Sequence, residues 1–383
     1  MKSYRLAIPI FTTSLSFFAA TGVAQQDSCV EAGKLFRRGV ELSDSSSQEE
    51  DLYRKAVELC PNMAEAFYNL GVVLVRRGKT DDALEEFKRA VSLSAKAEIW
   101  SSIGSAKSTL KDYQGAKEAY QKALELNGEH IPALLGLGLV YDHLRNLASA
   151  EAQIRKATEI SPRDSVAQYN LGVILLRQDK MSEAIAAFEN SVQSEDSNFG
   201  AQLQLGLAYQ RSGRIEDSRR SLEKALGLQP EDITVHRALG VTYEQLGAYD
   251  KAEIEFRRAL KLEESDVASM INLGIVLLRK SAPNPQEAES LLRKALVLDQ
   301  ENVKTITALG WSLVELGRFD SAEEMLKKAL ALDGDNAAAH NNLGVLFLRS
   351  GRNEEARDEF EKALALDPDM QTARRNLKQF GED

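Results

Sequence analysis

The sequence predicts an all-α protein, built as a solenoid of antiparallel helix pairs. Three observations lead there. Glycine recurs at Gly71, Gly104, Gly138, Gly172, Gly206, Gly240, Gly274, Gly310 and Gly344, 33 to 36 residues apart and most often 34. Behind each glycine, a small, a bulky and a small residue follow at i, i+4 and i+7, which places them on one helix face. The composition is that of long helices: 43% apolar, 28% charged and only 8 Pro in 383 residues.

The first helix of each pair carries the glycine, preceded by Leu or, once, Ile103. A mid-helix glycine costs about 1 kcal/mol against alanine, so nine at one register need a reason. Close approach of the paired helix supplies it. The second helix carries the small–bulky–small face, from Ala83-Phe87-Ala90 through Ala184-Phe188-Ser191 to Ala356-Phe360-Ala363. Turn signals such as Arg77-Gly78-Lys79 and Ser350-Gly351-Arg352 separate the two helices. Pro162, Pro230 and Pro368 close three of the units. Unit 267–302 holds two extra residues around Ser281–Pro285, which predicts a longer, exposed turn.

The ends differ from the middle. Residues 1–24 read as a cleavable export signal: Lys2 and Arg5 come first, then an uncharged apolar stretch, then Gly22-Val23-Ala24. The alternative is an uncleaved anchor, since 6–24 is just long enough to span a bilayer. Residues 25–63 read as a degenerate N-terminal repeat. Leu35, Gly39 and Leu42 lie on its first helix, Ser43–Gln48 in the connecting loop and Leu52–Leu59 on its second helix. Residues 371–383 hold a capping helix with Ala373, Leu377 and Phe380 on one side. Cys29 is placed just before the first helix of the degenerate unit and Cys60 at the end of the second, so a hairpin brings them together. The expectation is a Cys29–Cys60 disulfide in an oxidising compartment, with two unrelated thiols as the alternative.

The repeat resembles the tetratricopeptide repeat (TPR), with nine tandem units over 64–370. Lys107 departs from that pattern, standing where an apolar residue is expected. The resemblance implies a right-handed α-α superhelix whose concave face is lined by the first helices, and a protein or peptide partner there. By register, one inner row holds Asn69, Ser102, Gly136, Asn170, Gln204, Ala238, Asn272, Ala308 and Asn342, with amides at some units only. It is similar to the asparagine ladder with which some members hold an extended backbone, and the alternative is a packing preference. A second row is mostly apolar and includes Trp311. A third holds Arg76, Arg177, Arg211, Arg279 and Arg349, read either as a rim for acidic groups or as solvated helix ends. The clamp that binds acidic chaperone tails needs Asn where Val72, Ser105 and Leu139 stand, so that adaptor role is disfavoured.

No enzyme chemistry is expected. Gly78-Lys79-Thr80 lacks the upstream glycine and strand of a phosphate-binding loop. The four histidines, His130, His143, His236 and His340, show no metal-ligand spacing, and His236 and His340 share the core-facing register of Phe67 and Trp100. The net charge of −10 disfavours nucleic acid. The expected function is a periplasmic or secreted protein–protein interaction scaffold, bacterial by resemblance, with no cofactor, metal or membrane span after signal cleavage. The alternatives are a scaffold for polysaccharide export and a regulatory or enzyme-associated subunit.

Overall fold

The computed structural model describes residues 23–380, and it divides into two compact units, one ending at Asn198 and one starting at Phe199. Residues 1–22, which hold most of the expected export signal, lie outside the described residues. Every described element is helical. The first unit holds α1 (Val23–Leu42), α2 (Ser47–Leu59), α3 (Ala64–Arg76), α4 (Thr80–Leu93), α5 (Ala97–Thr109), α6 (Tyr113–Leu126), α7 (Ile131–His143), α8 (Leu147–Ile160), α9 (Ser165–Arg177) and α10 (Met181–Ser194). The second holds α11 (Phe199–Arg211), α12 (Ile215–Leu228), α13 (Ile233–Gln245), α14 (Tyr249–Leu262), α15 (Val267–Arg279), α16 (Pro285–Leu298), α17 (Val303–Glu315), α18 (Phe319–Leu332), α19 (Ala337–Arg349), α20 (Asn353–Leu366) and α21 (Gln371–Leu377), closed by a 3-10 turn at Lys378–Phe380. Odd and even helices pair, so each unit is a run of helical hairpins.

The glycine register explains how a hairpin closes. A Cβ on Gly172 would lie 2.6 Å from the Phe188 ring, and one on Gly71 would lie 2.5 Å from Phe87. The bulky side chain of the second helix therefore occupies the volume that the glycine vacates. Phe87, Phe188, Phe256 and Phe360 are fully buried in this way. In the hairpin of α5 and α6 the bulky residue is Tyr120, which is longer. It reaches beyond Gly104 to Gly136 on the next first helix, where a Cβ would sit 2.3 Å from the ring. Gly136 in the asparagine row is thus room for a tyrosine. Lys107 pairs with Asp112 at 3.3 Å in the same hairpin.

Turns within the hairpins need one residue in the left-handed region. Gly78, Gly213, Gly247, Gly317 and Gly351 provide it, with φ between 70° and 79°. Lys111, Arg145 and Asp179 occupy the equivalent place at φ of 64°, 61° and 59°, a conformation unfavourable for a residue with a Cβ. The chain then bonds back, as in Lys79 N–H to the Leu74 carbonyl at 2.8 Å, which closes the helix end. Most first helices after α5 start on a side-chain cap: Asp164, Asp232, Asp266, Asn302 and Asn336 each accept from a backbone N–H in the first turn.

Two expectations for the N-terminal hairpin are corrected. Cys29 lies inside α1, because the helix starts upstream at Val23. Ser47 and Gln48 belong to α2 and not to the loop, because Ser46 caps that helix. Its side chain accepts from the Glu49 N–H at 3.1 Å, and the Glu49 carboxylate accepts from the Ser45 N–H at 2.7 Å. The Cys29 and Cys60 Sγ atoms lie 2.12 Å apart, at bonding distance.

Successive hairpins are linked by charge as well as by packing. A glutamate early in an even helix reaches the cation in the turn of the following hairpin. The pairs are Glu50–Lys79 at 3.0 Å, Glu151–Lys180 at 2.8 Å, Glu253–Lys280 at 2.7 Å, Glu289–Arg318 at 2.8 Å and Glu323–Arg352 at 2.7 Å. At Glu151 the Lys180 ammonium and, after the opposing effect of burial, the Arg155 guanidinium hold the carboxyl at about 2, below its ordinary 4.5.

Three predictions follow from this packing. Gly172→Ala should destabilise the chain by about 1–3 kcal/mol through overpacking against Phe188. Gly227→Ala, where a Cβ meets nothing within 4 Å, should stabilise it by about 0.5 kcal/mol; urea unfolding measures both. Replacing Lys111 or Arg145 by Gly should raise stability by about 1 kcal/mol each, and Asp179 by less, because aspartate tolerates this backbone better. Because the folded Glu151 carboxyl titrates below its ordinary value, its contribution is present above 4.5 and disappears as pH falls to about 2. Glu151→Gln should therefore lower stability by about 1 kcal/mol at neutral pH and leave it unchanged at the acid end, read as melting temperature against pH.

Candidate functional site

Odd helices of successive hairpins touch one another: α5 with α7 and α7 with α9 in the first unit, and α13, α15, α17, α19 and α21 in series in the second. Even helices make no comparable contact among the described residues. Successive hairpins therefore approach one another on the side of the first helices and diverge on the side of the second. In the second unit that side opens into a cleft of about 1030 Å³ bordered by α15, α17, α19 and α21. Ile275, Ala308, Trp311, Val345 and Met370 supply apolar lining. Trp311 is half-buried and packs against the core beneath.

The cleft gathers part of the asparagine row. Asn342 lines it and accepts from Asn341 at 3.3 Å. Asn272 accepts from the Lys304 ammonium at 2.8 Å. Gln204 is half-buried on α11 and does not line the cleft. In the first unit Asn69 is buried and donates to the Tyr53 hydroxyl at 3.5 Å, so there it is held within the core. Asn170 is also buried, with no hydrogen-bond partner among the described residues.

The arginine row is mostly engaged already. Arg177 pairs with Asp142. Arg279 pairs with Glu244 at 2.8 Å, and Arg349 with Glu315 at 2.9 Å while also donating to the Val314 carbonyl at 3.3 Å. Each of these acids sits on the preceding first helix, so the three arginines tie hairpin to hairpin. Arg279 and Arg349 border the cleft in that paired state. Arg76 and Arg211 are exposed and have no ion pair among the described residues.

Sequence reasoning missed Lys304, Thr307, Asn341 and Arg375, all of which line the cleft. A signal for Lys304 was available. Its register, four residues before the asparagine row, holds Glu65 and Glu98 in early units and turns basic here. Arg375, on α21, lies beyond the repeat register. Thr307 Oγ1 is buried with no hydrogen-bond partner.

The histidines take structural posts. His236 is buried, as its register implied, and both ring nitrogens are bonded: Nδ1 to Glu255 at 2.6 Å and Nε2 to the Pro230 carbonyl at 2.9 Å. His340 repeats this with Glu359 and the Gly334 carbonyl. These rings clip a helix pair to the preceding turn, so they are polar ties and not apolar filling. His130 caps α7 by accepting from the Ala133 N–H, and burial pushes its imidazole pKa down, which favours that acceptor state. His143 stacks on Tyr113 with ring centres 4.5 Å apart. Among the described residues no group of three His, Cys, Asp or Glu could hold a metal, and no helix is long and apolar enough to cross a membrane.

Comparison with known proteins fits this geometry. Residues 24–275 match the family described as the cilia and flagella-associated protein 70 C-terminal domain, and residues 307–370 match the tetratricopeptide repeat. No curated protein matches the chain. Among solved structures, MamA is 29% identical over 42% of this chain and 95% of its own, with a TM-score of 0.40. A tetratricopeptide repeat protein from Parabacteroides merdae is 20% identical over 65% of this chain and 97% of its own, with a TM-score of 0.50. Pseudomonas aeruginosa pilF is 17% identical over 54% and 94%, also at 0.50. Neither matched family description names a catalytic domain. With its glycine-interlocked hairpins and a family match over more than half its length, the chain belongs to the tetratricopeptide-repeat family, in the group of the cilia and flagella-associated protein 70 C-terminal domain.

Proposed function

We propose that this chain is a protein–protein interaction scaffold of the cell envelope, holding a segment of a partner protein in the first-helix cleft of its second unit. The observation that carries the reading is the cleft itself. Its size suits several residues of a bound chain, and its lining combines an apolar floor around Trp311 with amides from Asn341 and Asn342. Amides supply donors and acceptors that match a main chain of any sequence. The envelope location is supported by the signal-like residues 1–24 and by the cysteine pair at bonding distance, which suits an oxidising compartment.

The test is capture of partners from envelope extract with the full chain as bait. Recovery should fall about tenfold with Trp311→Ala and less with Asn272→Ala or Asn342→Ala, as expected when one aromatic anchors an interface. Asn170→Ala and Arg177→Ala, in the other unit, should leave capture intact. Equal recovery by the wild type and by Trp311→Ala, with both chains folded by circular dichroism, would sink the cleft assignment. The location is tested by fractionation and by the intact mass of the mature protein. A chain retaining Met1 with two alkylatable thiols would overturn it.

A further inference from the structure

The charges bordering the cleft point to the chemistry of what it holds. The chain as a whole is acidic, at −10. Yet four cations line this cleft, Arg279, Lys304, Arg349 and Arg375, against two acids, Glu315 and Asp333. Three of these six are internally committed: Arg279 to Glu244, and Arg349 to Glu315. Asp333 accepts from Asn336 at 3.3 Å. Lys304 has only the neutral Asn272 amide as its partner, and exposed Arg375 has no ion pair among the described residues. The uncommitted positive charge thus belongs to Lys304 and Arg375, not to the arginine row.

Spacing adds to this. Lys304, Thr307 and Trp311 stand at i, i+3 and i+7 on α17, one stripe along the helix. Two helical turns separate Lys304 from Trp311, about 10 Å, or roughly three residues of extended chain. Between them Thr307 borders the cleft, with its hydroxyl oxygen enclosed.

We infer that the cleft selects a protein segment in which an apolar side chain is flanked by carboxylates. The apolar group lies against Trp311, and the carboxylates meet Lys304 and Arg375. This rests on the scaffold reading above and names its ligand class.

The probe is a fluorescein-labelled peptide with blocked ends, Glu-Glu-Ser-Leu-Phe-Ser-Glu-Glu, titrated with the full chain by anisotropy. Its comparisons are the same peptide with Lys for Glu, and with Ser for Leu and Phe. The acidic–apolar peptide should bind about tenfold tighter than either comparison, and more weakly as salt rises. Lys304→Glu or Arg375→Glu, both exposed and safe for folding, should each weaken it about tenfold. Arg76→Glu, in the other unit, should change nothing. Equal binding of the lysine peptide, or indifference to the charge reversals, would overturn the inference. So would displacement of the bound peptide by oligogalacturonate, an anionic sugar with no apolar anchor. If Trp311→Ala abolishes partner capture while the acidic–apolar peptide does not bind, the scaffold reading stands and this ligand class falls. If capture is also indifferent to Trp311, both fall.

Discussion

The fold depends on one steric fit, repeated down the chain: a glycine on the first helix of each hairpin receives a bulky side chain from the second. The fit holds because a Cβ at that place would overlap a ring, as at Gly172 with Phe188. Helices this close bury their small residues completely, and Ala184 and Ala356 are fully enclosed. The helix-propensity penalty of each glycine is offset by the apolar surface the neighbouring side chain removes from water. Tyr120 shows how strict the fit is. A longer side chain there requires a second glycine, Gly136, on the next hairpin.

Packing sets how each hairpin sits on the next, as the fit of Tyr120 against Gly136 shows. Ion pairs add to it. One set runs from an even-helix glutamate to the following turn cation, as in Glu151–Lys180 and Glu323–Arg352. Another runs from a first-helix arginine to an acid on the preceding first helix, as in Arg279–Glu244. Each pair is half-exposed and contributes on the order of 0.5 kcal/mol. The histidine clips at His236 and His340 act similarly, joining a helix pair to the turn before it.

This internal use of charge shapes the cleft. Arginines consumed in ties between hairpins leave the uncommitted polar groups of the cleft outside that pattern. Lys304 breaks its register, Arg375 sits on the capping helix and Thr307 is left unbonded. Departures from a repeat are where one unit becomes unlike its neighbours, and a partner can distinguish units only by such differences.

The sequence by itself determined the all-α hairpin fold, because its signals are local. Glycine spacing, the i, i+4, i+7 face and the Gly-containing turns act within one hairpin, where residues close in sequence are close in space. The asparagine and arginine rows were equally visible, but their roles were not. Asn69 is enclosed near Tyr53 while Asn342 lines open space, and Arg349 is spent on Glu315 while Arg375 is not. Those outcomes depend on a partner 16 to 34 residues away, one hairpin or one repeat along. Only the stacked structure decides which polar group meets another and which stays available, because that is set by distance in space and not by register along the helix.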